Sequence, residues 1–416
     1  IQGGMGVGVS LSRLASEVAR QGGIGVVAAN AIGMIEPDYY QNHIQANIRA
    51  LRSELRKCRE SSDGLIGVNI MVAVDCFRQL LDVAVEEGVD FLFLGAGLPV
   101  KNIPVKEIRD KGVKVVPIVS SARTARIIFK MWEKNYQDVP DAVVVEGPKA
   151  GGHLGFSSEQ IDDPAYRLEK IVPEVLEVLK PFQDRWDREI PLIAAGGIYN
   201  GEDIFRLLRL GASGVQMGTR FVATDECDVD IRFKEAYVNC REEDIRIISS
   251  PVGMPGRAIA SSFLDDVSSG MSKVFRCPSK CLASCGAMKA RYCISEALDS
   301  ARQGEFDKGF AFCGSNAYRI DSVIPVKQLI SSLRFEYFIE SIISAVKSEY
   351  ADTANRLRQL REEYRPAFPS LPEASERRFR ESMDALNNRK DSIHAEYEKI
   401  MNSVGVNFLE DLESMD

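Results

Sequence analysis

No apolar run in this chain approaches the about eighteen residues that a membrane-spanning helix needs, so a helical membrane protein is excluded. Positive charge is in deficit. Lys and Arg number 52 against 60 Asp and Glu, a net charge of -8, which argues against nucleic acid as the main partner. Histidine is scarce, with only His43, His153 and His394 available for imidazole chemistry. The nine cysteines are odd in number and uneven in spacing, so they are not a disulfide framework; a reducing cytoplasm suits them. No signal peptide and no internal repeat is visible. The chain opens inside what reads as a strand end, so residues are expected to precede Ile1.

What is present is alternation. Short apolar runs recur at residues 24–28, 65–70, 91–94, 113–119, 142–145, 192–195 and 214–217, after a strand tail at Ile1-Gln2. Helix-spaced stretches separate them, and Ser10 is placed to cap the first helix. Eight β/α units over about 220 residues predict a closed TIM (β/α)8 barrel rather than an open doubly wound sheet. The barrel is expected to span residues 1–249. Residues 250–347, rich in Gly, Ser and Cys, read as a smaller cap region with barrel-packing helices. Residues 348–416 read as a charged helical extension, packed on the body or used for self-association.

The last two strands carry the strongest chemical signal. Leu192–Ala195 ends at Gly196-Gly197, and Gly214–Met217 ends at Gly218-Thr219. Glycine lets a backbone approach a ligand and turn its N–H groups on an anion. One such break is explained by a tight turn. Two at matching strand ends, where barrels hold phosphate, point to a phosphate cradle. Upstream, Glu146-Gly147-Pro148-Lys149-Ala150-Gly151-Gly152-His153 directly follows the sixth strand, at the catalytic rim. An imidazole between glycines suits a general acid or base facing a planar ligand.

Cys277, Cys281, Cys285 and Cys293 form a Cys-x3-Cys-x3-Cys-x7-Cys series. Thiolates could hold zinc or an iron–sulfur cluster, but the spacing lacks the usual Cys-x2-Cys pair. Buried thiols packing a helix against the barrel are the simpler expectation.

Five segments together resemble the nitronate monooxygenase family, formerly 2-nitropropane dioxygenase, and the related FMN-dependent enoyl-acyl-carrier-protein reductases. They are Gln2-Gly3-Gly4-Met5, Gly67-Val68-Asn69, Ala150–Gly155, Ala195–Ile198 and Gln216–Phe221. The resemblance implies FMN at the carboxyl ends of the strands and no metal in the chemistry. It implies that Gly3, Gly4 and Met5 lie beside the flavin ring and that Asn69 bonds to it. Glu146, Gly151 and Gly152 would line the ring and ribityl region. Gly196, Gly197, Gln216, Met217, Gly218 and Thr219 would hold the phosphate. His153 would be the catalytic base for oxidising alkyl nitronates with O2. Glu146 is a departure, because many nitronate oxidisers carry Gln there and the reductase branch commonly carries Glu. The alternatives are an NAD(P)H-dependent FMN enoyl-acyl-carrier-protein reductase and a flavoprotein scaffold without catalysis. Cys313-Gly314-Ser315-Asn316 also resembles the reductase branch, with no role that the sequence defines.

Overall fold

The computed structural model describes residues 1–276, 285, 290–364 and 373–404. It divides into two units, residues 1–333 and 334–416. The first is a TIM-like α/β barrel. Its strands are β1 (Ile24–Ala28), β2 (Leu65–Met71), β3 (Phe91–Gly95), β4 (Lys114–Val119), β5 (Val143–Glu146), β7 (Leu192–Ala195) and β8 (Gly214–Gln216). They form one parallel sheet in that order. A short β6 (Gly152–His153) lies outside it, in a three-stranded antiparallel sheet with β9 (Ile245–Ser249) and β10 (Pro255–Ile259).

The sheet closes through the first three residues. Gln2 donates its N–H to the Ile24 carbonyl on β1 at 3.0 Å, and Gly3 donates to Met217 beyond β8 at 2.8 Å. The Gln2 side chain joins in, its Oε1 accepting from Val26 N–H at 3.0 Å. The strand tail read at Ile1-Gln2 is therefore the eighth stave, shortened to a bridge.

Side-chain parity builds two cores. Along a strand, successive residues point to opposite faces. Val26, Phe93, Val116, Val144 and Ile193 pack together inside the barrel. Their neighbours Val27, Leu92, Val115, Val143 and Leu192 face the helices. Gly67 makes room for the interior: a Cβ there would sit 2.6 Å from the Phe93 ring.

The helices of the outer layer are α1 (Ser12–Arg20), α2 (His43–Ser61), α3 (Phe77–Glu86), α4 (Val105–Asp110), α5 (Ala122–Tyr136), α6 (Leu168–Trp186), α7 (Gly201–Arg209) and α8 (Thr219–Val222). Ser121 caps α5 and Asn200 caps α7 through their side-chain oxygens. Ser10 does not cap α1. Its hydroxyl instead accepts from Met5 N–H at 3.0 Å and from Gln2 Nε2 at 2.9 Å. Glu54 takes over at the helix start, accepting from Ser12 N–H at 2.9 Å. The glycine loop at residues 3–6 thus captures the serine that local pattern assigns to the helix.

After the barrel come α9 (Ile231–Val238), α10 (Ser262–Ser268), α11 (Ile294–Arg302) and α12 (Val326–Tyr364). Residue 250 falls in the turn between β9 and β10, and Val326, Leu329 and Leu333 of α12 are buried in the large core. In the second unit, α12 meets α13 (Glu373–Val404) through Tyr350 against Ile393 and through Arg389 paired with Glu349. No helix of the described residues is long and apolar enough to cross a membrane.

Candidate active site

A cavity of about 320 Å³ opens at the carboxyl ends of the strands. That volume is on the scale of small-molecule sites. All fourteen residues singled out in sequence as catalytic or cofactor-binding line it: His153, Gly3, Gly4, Met5, Asn69, Glu146, Gly151, Gly152, Gly196, Gly197, Gln216, Met217, Gly218 and Thr219. Parity explains three of them. Asn69, Glu146 and Gln216 occupy the inward face of β2, β5 and β8 at their last turns, so their polar groups reach the barrel mouth instead of the helix layer.

The glycines leave space that other residues would fill. A Cβ on Gly4 would lie 2.4 Å from Asn69 Cβ, and one on Gly151 would lie 2.6 Å from the Cys313 backbone. Gly196 and Gly197 have φ of 96° and 77°, in the region that only glycine adopts freely. Among the described residues, nothing accepts from the N–H groups of Gly197, Gly218 or Thr219. Open donors beside two glycine turns suit the anionic end of a mononucleotide.

The charge balance is unusual. None of the described lining residues is Lys or Arg. The Glu146 carboxyl makes no hydrogen bond with a described residue, and burial raises it to about 7. His153 is pushed down to about 4 by burial, so its ring is neutral at pH 7. Its Nε2 lies 2.7 Å from Ser250 Oγ, and its ring meets Phe312 edge-on at 5.0 Å. The loop is stitched to β10, where His153 pairs with Gly256 and Leu154 N–H donates to Pro255 at 2.8 Å. Arg257, buried on β10, donates to the carbonyls of Pro148 and Ala150 at 2.7 and 2.6 Å.

Sequence reading left the segment after Cys313 without a role. Gly314 N–H donates to Thr219 Oγ1 at 2.9 Å, Ser315 N–H to Lys149 O at 3.1 Å, and Asn316 Nδ2 to Gly197 O at 2.7 Å. It ties the two glycine turns and the His153 loop together. Ser250, Arg257, Tyr237 and Phe312 were missed as well; no spacing rule reaches them from the strand ends. Of the cysteine series, Cys277 and Cys281 lie outside the described residues, while Cys285 and Cys293 are half-buried. No group of three metal-ligating side chains is found among the described residues.

Known proteins resemble this chain in sequence and in fold. The (3aS,4S,5R,7aS)-5-hydroxy-7a-methyl-1-oxo-octahydro-1H-indene-4-carboxyl-CoA dehydrogenase of Rhodococcus jostii is 27% identical over 267 residues, 64% of this chain and 64% of that protein. The match thus spans less than two thirds of that relative's length. A probable nitronate monooxygenase of Staphylococcus saprophyticus is 25% identical over 288 residues, 64% of this chain and 76% of the relative. The structure of FabK from Thermotoga maritima superposes with a TM-score of 0.64 at 28% identity, covering 84% of this chain and 94% of that one. Residues 1–336, which contain every lining residue of the cavity, match the nitronate monooxygenase family model, and the chain belongs to that family of oxidoreductases.

Proposed function

We propose that this chain is an FMN-dependent oxidoreductase that reduces an uncharged, unsaturated acyl thioester, with NAD(P)H as the electron source. One observation carries the choice of substrate. The cavity offers no Lys or Arg among its described lining residues, and its one carboxyl titrates near 7. Away from the open N–H groups of the two glycine turns, an anion such as a nitronate would meet no Lys or Arg among the described lining residues and would face Glu146, ionised in part of the molecules at neutral pH. A thioester needs no countercharge. The relative named for a carboxyl-CoA supports the same class.

The residues present suit FMN. Gly197, Gly218 and Thr219 would bind the phosphate through their open N–H groups. Gly3, Gly4, Gly151 and Gly152 would flank the ring without side chains, and Asn69 and Gln216 would bond to its polar edge. When bound, FMN supplies reversible two-electron chemistry. Glu146 holds a proton near neutral pH and hands it to the substrate carbon, which suits a general acid working at that pH. His153 stays neutral and orients the substrate.

Oxidation of alkyl nitronates by O2, with His153 as base, is the second reading. The family match and an imidazole unprotonated at neutral pH favour it. The test is anaerobic. NAD(P)H should bleach the flavin absorbance, and crotonyl thioester should restore it faster than O2 does. Restoration by O2 with nitronate, and none with thioester, overturns the reductase reading. Failure of both leaves a non-catalytic flavoprotein.

A further inference from the structure

The turn between β9 and β10 holds a serine that the proposed chemistry does not yet use. Ser250 is 5% exposed, and its Oγ lies 2.7 Å from Nε2 of His153. That hydroxyl already accepts a longer bond, 3.4 Å, from Val252 N–H. Its position is set by backbone. Ser250 N–H donates to Met254 O at 3.1 Å, and Gly253 N–H donates to Ser250 O at 2.9 Å. The turn is therefore closed on itself, which fixes the backbone that carries the serine.

The accounting of protons decides what the imidazole can do. A hydroxyl has one hydrogen to give. In this structure the one described acceptor that the Ser250 hydroxyl meets is Nε2 of His153. If Nε2 instead carried the proton, the hydroxyl would accept twice and its own hydrogen would be left without a partner among the described residues, which is unfavourable for a buried group. With Nε2 accepting, a neutral ring carries its proton on Nδ1. Nδ1 has no partner among the described residues and is not among the atoms both buried and unpaired, so it is reachable from the cavity that His153 lines.

We propose that Ser250 is a positioning residue that locks His153 in the Nδ1–H tautomer, so that the imidazole presents a hydrogen-bond donor, not a base, to the substrate. The oxygen it would meet is the thioester carbonyl, where negative charge builds as the neighbouring double bond is reduced. A neutral imidazole donating to a carbonyl of this kind is an established way of stabilising an enolate. The accepting oxygen rests on the reductase reading. The tautomer does not.

The experiment is two-bond ¹H–¹⁵N correlation on the full chain with ¹⁵N-labelled histidine at pH 7. Only three histidines contribute, and His153→Gln identifies the relevant one. The expected pattern is a pyrrole-type Nδ1 and a pyridine-type Nε2 for His153. Ser250→Ala should shift the ring to the Nε2–H form, and Ser250→Thr should keep Nδ1–H. Turnover should follow, with kcat on the thioester falling on the order of ten- to a hundredfold in Ser250→Ala, KM little changed, and Ser250→Thr recovering most of it. An Nε2–H ring in the parent protein overturns the proposal without any variant being needed. So does an unchanged tautomer in folded Ser250→Ala. If the Nδ1–H form is found but nitronate is the substrate, the reductase reading fails and the tautomer lock stands.

Discussion

Nδ2 of Asn316 donates to the carbonyl oxygen of Gly197 at 2.7 Å, joining positions 119 residues apart. This bond holds the first glycine turn in the orientation that leaves its N–H free. Asn316→Ala should therefore loosen the cofactor more than the chemistry. Flavin affinity, read by fluorescence titration, is expected to fall about five- to tenfold, the value of one lost hydrogen bond of about 1 to 1.4 kcal/mol. The kcat of saturated enzyme should stay within about twofold. Unchanged affinity would remove the segment after Cys313 from the binding site.

Gly4 tests the closeness of the floor. An added methyl would sit 2.4 Å from Asn69 Cβ, an atom fixed directly to the β2 backbone. Gly4→Ala should cost about 1–3 kcal/mol and lower flavin occupancy. Gly214→Ala is the control, because nothing lies within 4 Å of its added methyl. Thermal melts and flavin-to-protein ratios of the two variants check this.

Glu146 and His153 make opposite contributions to the pH dependence of stability. Burial raises Glu146 from 4.5 to about 7, so the native state keeps a proton that the unfolded chain releases. Stability is then lost as pH rises from about 4.5 through 7, and Glu146→Gln should remove that loss. Burial lowers His153 from 6.5 to about 4, so the unfolded chain takes a proton that the native state refuses. Stability is lost as pH falls from 6.5 towards 4, and His153→Gln should flatten that side. Melting temperatures of cofactor-stripped protein between pH 4 and pH 8 distinguish the two arms.

The helical extension should be separable from the site. Every residue lining the cavity lies within residues 1–314, and the first unit ends at 333. Deleting residues 350–416 is expected to leave flavin per chain and thioester turnover within about twofold of the parent. A change in sedimentation on deletion would assign the extension to self-association. Loss of turnover would bring it into the enzyme.

The legible part of this molecule was the part written locally. Apolar runs ending in glycine marked β7 and β8, and Gly151-Gly152-His153 marked the rim. The bonds that fix those residues come from elsewhere in the chain. Ser250 reaches His153 across 97 positions, and Arg257 reaches Pro148 across 109. Ser10 shows the same competition at short range. Its surroundings resemble a helix start, yet the buried amide of Gln2 and the N–H of Met5 claim its hydroxyl. Polar satisfaction in three dimensions overrode a local preference. Glu146 is a different case. Sequence placed it at a strand end, but only burial without a partner moves its proton into the neutral range.

The seam between β8 and β1 has a consequence for engineering. Residues 1–5 complete the hydrogen-bonded ring of staves and also supply three residues, Gly3, Gly4 and Met5, to the lining of the ligand chamber. Rearranged versions of this chain with new ends opened inside that pentapeptide would forfeit architecture and ligand together. Cuts on outer loops, such as the one bearing Gly88 before β3, would spare both. Insertions and permutations in this scaffold should therefore be sought on the side of the barrel remote from the seam.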